Sequence, residues 1–169
     1  MILKEEITQI RKLMMENSDI IIRKITDDDL PIITEKLSYV YDKLSASSES
    51  IWGLIGDYDE NISVVAVMNN KVCGFYMLRN ENIMPNDSSI YKELEGLKGL
   101  EGVALGVFKE YKNLGIGKKL IEYPRTLGYD YIWGYQLKKL DNIDDWLKRR
   151  KIYYENKHLY ITYQIFNEN

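Results

Sequence analysis

The segment Lys112-Asn113-Leu114-Gly115-Ile116-Gly117-Lys118 carries the residue types and spacing best suited to chemistry in this chain. Gly115 and Gly117 let the backbone approach a ligand with no Cβ in the way, while Lys112 and Lys118 add positive charge at the rim. An apolar run precedes the segment and helix-forming residues follow it. Its N–H groups would therefore meet at one point, where the helix dipole adds positive potential, and such an arrangement holds anions such as phosphate. A Gly-x-Gly pair alone carries little weight, because ordinary turns before helices also collect glycine. Two better-defined phosphate motifs do not fit. The pattern Gly-x-x-x-x-Gly-Lys-Ser/Thr fails because Lys118 is followed by Lys119, so the hydroxyl that holds magnesium is missing. The dinucleotide fingerprint lacks its third glycine.

Other reactive side chains are sparse. Cys73 is the only cysteine. It allows no internal disulfide and no Cys-rich zinc site, and within Val72-Cys73-Gly74-Phe75 it reads as a small buried hydrophobe rather than a nucleophile. His158 is the only histidine. It reads as a turn residue, with neither metal partners nor a Cys–His pairing, and no metal is expected.

Composition narrows the function classes further. The 169 residues are about one domain long, and 45% apolar with 29% charged residues is ordinary for a folded globular chain. A net charge of -3 offers no broad attraction to phosphate backbones or anionic lipid, so neither nucleic acid nor membrane is expected as a partner. No run approaches ~18 apolar residues, and Glu5 and Glu6 stand where a leader would be basic and then apolar. A cytoplasmic location is the expectation.

The elements that must position the glycine loop follow from periodicity. Leu3, Ile7, Ile10, Leu13 and Met14 give an amphipathic helix over Met1 to Asn17, docked on its own domain or, since the spacing is also a short heptad seam, serving as a homodimer contact. We take residues 1–18 as this helix and 19–169 as a single domain. Ile20-Ile21-Ile22 reads as a strand. It hands over at Thr26, which can cap a helix in a box with Asp29, with Pro31 in the first turn and the helix running to about Lys43. Ser45 to Ser50 has the composition of a loop. Val64 to Met68 and Lys71 to Leu78 form a hairpin around Asn69-Asn70, because asparagine tolerates the positive φ of a tight turn. A long connection follows, with a helical turn near Tyr91-Lys92-Glu93-Leu94. Leu100 to Val107 is a strand, Gly117 to Tyr123 opens a helix that Pro124 should bend or shorten, and Tyr129 to Tyr135 is an aromatic strand. Asn142 to Lys151 reads as a charged helix whose end, Arg149-Arg150-Lys151, is either solvated or in contact with a ligand's phosphates. Ile152 to Phe166 is a closing hairpin around Asn156-Lys157.

In this context Val103-Ala104-Leu105-Gly106-Val107 followed by Tyr111-Lys112-Asn113-Leu114-Gly115-Ile116-Gly117-Lys118-Lys119-Leu120 resembles the signature segment of the GNAT superfamily of N-acetyltransferases. Lys112 stands where that family usually has Gln or Arg. The resemblance runs in order from about Ile20 to Phe166. It implies an α/β (α+β) fold with a mixed, centrally splayed sheet flanked by helices, here with an extra N-terminal helix. It also implies acetyl-CoA (coenzyme A) as co-substrate and direct acetyl transfer to the primary amine of a small molecule or peptide. By the same resemblance the amides of Lys112, Asn113, Leu114, Gly115, Ile116 and Gly117, with Lys118, would hold the pyrophosphate. Leu105, Gly106 and Val107 would pair with the pantetheine, and the family's last-helix asparagine falls at Asn142. Glu101 takes the place of the general base in one branch of the family. The usual acid, a tyrosine, is replaced by Arg149, which leaves Tyr153 and Tyr154 as candidates. The alternative is a GNAT-fold module that binds acyl-CoA as a sensor without transfer.

Overall fold

Asn69 and Asn70 both have positive φ (52° and 63°), the conformation a two-residue hairpin demands, and they fix the pairing of the two strands around which the sheet is built. The structure, a computed structural model, describes residues 2–16, 19–83, 90–139 and 143–166. In chain order the elements are α1 (Ile2–Glu16), β1 (Ile20–Lys24), α2 (Leu30–Val40), α3 (Ser48–Ile55), β2 (Val64–Met68), β3 (Lys71–Arg79), α4 (Ile90–Leu94), β4 (Gly99–Val107), α5 (Ile116–Thr126), β5 (Tyr131–Leu137), α6 (Ile143–Leu147), β6 (Lys151–Glu155) and β7 (Leu159–Ile165). The strands form one mixed sheet in the order β1-β2-β3-β4-β5-β7-β6, in which only β4 and β5 pair in parallel.

Alternation of side chains along the strands splits the core between two faces. On one face α5 buries Ile116 and Leu120 against Val64, Ala66, Tyr76, Leu78, Leu100 and Ile132. On the other, α2 and α3 bury Ile33, Leu37 and Ile51 against Val65, Phe75, Met77 and Ala104, and Tyr131, Trp133, Tyr153 and Tyr163 continue that face beyond β5. Cys73 is fully buried within the first of these layers, with its thiol on the carbonyl of Ala66 at 3.3 Å, and burial pushes it up to about 11. It is a packing residue, as its apolar neighbours indicate.

Three expectations need correction. Ser45 to Ser50 is not all loop: Ser47 caps α3 by accepting from the Ser50 N–H at 3.2 Å, so the serine-rich stretch is a helix start. Pro124 does not shorten its helix. It sits buried in the last turn of α5, where only one carbonyl upstream loses its donor. In α1, Leu3, Ile7, Ile10 and Leu13 are exposed, so this helix forms without docking its apolar stripe on the domain. Among the described residues no helix is long and apolar enough to cross a membrane.

The capping box is present as the sequence indicates, although it opens a 3-10 turn (Asp27–Asp29) that leads into α2. Asp29 accepts from the Thr26 N–H at 2.8 Å and from both terminal nitrogens of Arg23 at 2.8 Å, tying the end of β1 to the start of α2. The Arg23 hydrogen bonds hold the Asp29 carboxyl below its usual pKa against the opposing effect of burial. Because the folded value is depressed, this contribution is complete above the unfolded value of about 3.9 and disappears as pH falls through the folded one. Asp29→Asn should therefore lose roughly 1 kcal/mol at neutral pH, and the gap to the wild type should close at acid pH, as read from urea denaturation at the two pH values.

Candidate functional site

β4 and β5 are hydrogen-bonded only over Gly99–Tyr131, Leu100–Ile132 and Glu101–Trp133, although both strands continue. From Gly134 onward β5 keeps only β7 as a neighbour, while β4 stays on β3. The strands part at two glycines. A Cβ at Gly134 would lie 2.6 Å from the Gly102 carbonyl oxygen, and a Cβ at Gly102 would lie 2.5 Å from the Tyr76 hydroxyl, so neither position accepts a side chain. Just past the parting, Met77 faces Ala104 while Leu78 faces Gly102, which makes Val103 the extra residue of a bulge.

The bulge sets which groups face the opening. The Phe108 N–H donates to the Cys73 carbonyl at 2.9 Å, so Gly106 and Ala104 likewise turn their peptide groups to β3, and Leu105 and Val107 turn theirs to the side that β5 has left. The Tyr41 hydroxyl, from the chain just after α2, donates to the Leu105 carbonyl there at 2.9 Å. Gly106 has a different reason for being glycine: a Cβ would meet the Phe75 ring at 2.6 Å and Val40 at 2.8 Å, so its bare backbone serves the protein's own packing.

The split widens toward the end of β4 at which α5 begins, and there the glycine loop lies. Asn113 (φ 67°) and Gly115 (φ 83°) are both left-handed, and Gly115 leads directly into the right-handed first turn of α5, a pairing that gathers successive N–H groups into a nest. Among the described residues, no backbone N–H from Asn113 to Lys118 donates a hydrogen bond of good geometry; the first to do so is Lys119, to the Gly115 carbonyl at 3.1 Å. Lys112, Lys118 and Lys119 are exposed and form no ion pair among those residues. Gly117 has ordinary φ, and a Cβ there would touch only Val107, at 3.7 Å. The protein's packing does not require this glycine. The loop is thus a cradle of free donors beside unpaired lysines, with room left open at Gly117, and it suits a polyanion such as a diphosphate.

The structure disposes the remaining candidates unevenly. Glu101 is the last residue of β4 paired with β5, almost wholly buried beside Trp133 on the face away from α5. Both its oxygens accept from Arg79 of β3, at 2.8 and 2.9 Å. This pair raises the Arg79 pKa, with smaller help from Glu81 and Asp57. Tyr153 is buried with Tyr131, Trp133 and Tyr163, and Tyr154 is exposed. Both are on β6, separated from the opening by β7 and β5, so neither is brought to the free edge of β4. Asn142 lies outside the described residues. Arg149-Arg150-Lys151 is not a uniformly solvated helix end: Arg150 turns inward to the Tyr76 hydroxyl, and burial brings its pKa down to about 10. A cavity of about 300 Å³ lined by Asn82, Leu94, Lys98 and Tyr131 lies at the other end of β4, roughly 25 Å of strand from the loop. Among the described residues no group of acidic, His or Cys side chains is arranged to hold a metal.

No family model and no curated protein sequence matches this chain. Its backbone is similar to several solved structures at low identity. One is the PaiA N-acetyltransferase from Thermoplasma acidophilum in complex with coenzyme A, with 18% identity, 88% of this chain and 99% of the other covered, and a TM-score of 0.61. Another is a GNAT-family acetyltransferase from Listeria monocytogenes, with 13% identity, 89% and 100% covered, and a TM-score of 0.58. A third is FeeM, an N-acyl amino acid synthase from uncultured soil microbes, with 14% identity, 88% and 92% covered, and a TM-score of 0.59. The chain therefore shares the backbone fold of these structures.

Proposed function

We propose that this chain is an N-acyltransferase that moves an acetyl group from acetyl-CoA to a primary amine of a small molecule or peptide by direct transfer. One observation carries the reading: the undonated N–H groups of Asn113 to Lys118 stand at the mouth of a split walled by an unpaired strand edge. In this reading the loop holds the pyrophosphate, Lys112 and Lys118 screen its charge, and Leu105 and Val107 offer peptide groups to the pantetheine. The coenzyme A complex of the Thermoplasma neighbour supports it.

Thioester aminolysis needs a neutral amine, so a proton acceptor on the acceptor's side is useful. Glu101 fits that place by position. Since both oxygens accept from Arg79, it would have to release one of these bonds to take a proton. With Tyr153 and Tyr154 away from the opening, neither serves as acid in this reading. Their absence there is also what favours the second reading, a sensor that binds acyl-CoA without transfer.

Thiol release from acetyl-CoA, followed across polyamines, amino acids, aminoglycosides and N-terminal peptides, separates the two readings. Release with at least one class is expected. Tight coenzyme A binding with no release from any class would favour the sensor, and no binding would overturn both. Glu101→Gln should lower turnover by roughly 100-fold or more with acetyl-CoA affinity unchanged; turnover equal to the wild type's would remove Glu101 from the mechanism. Gly117→Trp should melt near the wild-type temperature yet show no coenzyme A binding by calorimetry. Gly106→Ala should do the reverse, destabilising by about 1–3 kcal/mol through overpacking against Phe75 while leaving the loop intact. Binding retained in Gly117→Trp refutes the loop assignment.

A further inference from the structure

The Arg150 guanidinium is buried just below the parting of β4 and β5, on the face that carries α5. Several contacts fix the position. The Tyr76 hydroxyl, which fills the space a Gly102 side chain would take, faces Arg150 and favours its charged form. The guanidinium carbon lies 3.6 Å from the centre of the Trp146 ring. With the Gln136 amide turned so that its oxygen faces Trp146, the orientation that satisfies all its partners, it accepts from the Trp146 indole N–H at 3.2 Å while its nitrogen donates to the Gly134 carbonyl at 3.1 Å and the Thr162 hydroxyl at 2.7 Å. A ring of neighbours thus runs from Gly102 through Tyr76, Arg150, Trp146 and Gln136 to Gly134, and closes where a Cβ on Gly134 would fall 2.6 Å from the Gly102 carbonyl oxygen.

This cation is incompletely satisfied. Its Nη2 is buried and, among the described residues, has no hydrogen-bond partner. Among the described residues no carboxylate pairs with Arg150, in contrast to Arg23 and Arg79, which each hold one bidentately. Burying an unpaired guanidinium is costly, and an orphaned buried donor asks for an explanation. Stacking on Trp146 and the polar contact with Tyr76 recover part of that cost. What remains is a buried positive charge with a spare N–H on the α5 face of the sheet, next to the Tyr76 hydroxyl that abuts Gly102 at the parting. Glu101, at the same level, lies on the opposite face of the sheet.

We propose that Arg150 is a catalytic residue that stabilises the coenzyme A thiolate as it departs. The inference rests on the acyl-CoA reading above. The amine nitrogen forms a bond to the thioester carbonyl carbon, the C–S bond breaks, and its electron pair goes to sulfur. The ammonium proton passes to Glu101 or water on the other face. The negative charge that appears on sulfur meets the Arg150 N–H, so the thiolate leaves without having to take a proton first. Such an arrangement dispenses with the tyrosine acid that Tyr153 and Tyr154 do not supply.

The test needs no acceptor and no turnover. Binding of coenzyme A is compared by calorimetry with that of an analogue whose thiol is replaced by hydrogen, between pH ~6 and ~9, a window that spans the ordinary thiol range. A cation beside the sulfur lowers its pKa, so binding releases a proton and the preference for coenzyme A over the analogue rises with pH, here by about fivefold or more. The analogue corrects for the phosphates and for Lys112 and Lys118. The titratable group facing Arg150 is Tyr76 from β3, which burial keeps protonated above its usual range. The other contacts in the ring, Gly102, Gly134, Gln136, Thr162 and Trp146, do not ionise. In Arg150→Met the pH-dependent preference should vanish while analogue affinity is kept, and Arg150→Lys should restore part of it. If the two ligands track each other across the pH range in the wild type, the proposal fails with the acyl-CoA reading intact, even if the variants do not fold. If neither ligand binds, the acyl-CoA reading itself fails.

Discussion

The parting of β4 from β5 at Gly102 and Gly134 is the constraint on which the rest of the site depends. Parallel strands ordinarily continue side by side once paired, because each added residue contributes ladder hydrogen bonds. Here the ladder stops after Glu101 and Trp133. Past that point β5 has β7 to pair with and β4 has β3, so each keeps one satisfied edge. Apart from the Leu105 carbonyl, which accepts from the Tyr41 hydroxyl, the open edges are left with peptide groups that water or a ligand must satisfy. The bulge at Val103 then decides that Leu105 and Val107 are the residues exposed to the gap.

The two faces of the sheet complete the arrangement with opposite chemistry. On the α2 and α3 side, Glu101 and Arg79 form a closed pair in which both carboxylate oxygens are used. On the α5 side, Arg150 is a buried cation with a spare donor among the described residues. The free N–H groups of the glycine loop lie at the wide end of the gap, held there because Ile116 and Leu120 anchor α5 on the sheet. A thioester threaded through the gap would have its anionic end at the loop, its carbonyl at the strand edge and its sulfur near the guanidinium. The elements are rigid where they pack and unsatisfied where a ligand would come.

Local signals in the sequence were sufficient for some of this. Asn69-Asn70 encodes its hairpin because the turn conformation is a property of those two residues, and Thr26 with Asp29 encodes a cap for the same reason. The glycine loop and its strand were legible because left-handed positions leave a glycine or asparagine signature. Arg150 was not. A basic run at a helix end is usually solvated, and only the closeness of Tyr76 and Trp146 draws this one inward. The Arg79–Glu101 pair was hidden too, since it depends on the β3–β4 register rather than on spacing. Ser47 was masked by a serine-rich stretch whose composition suits a loop as well as a helix cap.

The central claim is that the gap between β4 and β5, with the loop at its mouth, is where coenzyme A binds. Backbone amide resonances followed during titration with coenzyme A test it most directly. The account predicts that the amides of Asn113 to Lys118, with Leu105 and Val107, shift first and furthest, while those of β6 and of the cavity around Asn82 and Lys98 stay in place. Shifts centred on that cavity, with the loop amides unmoved, would contradict it.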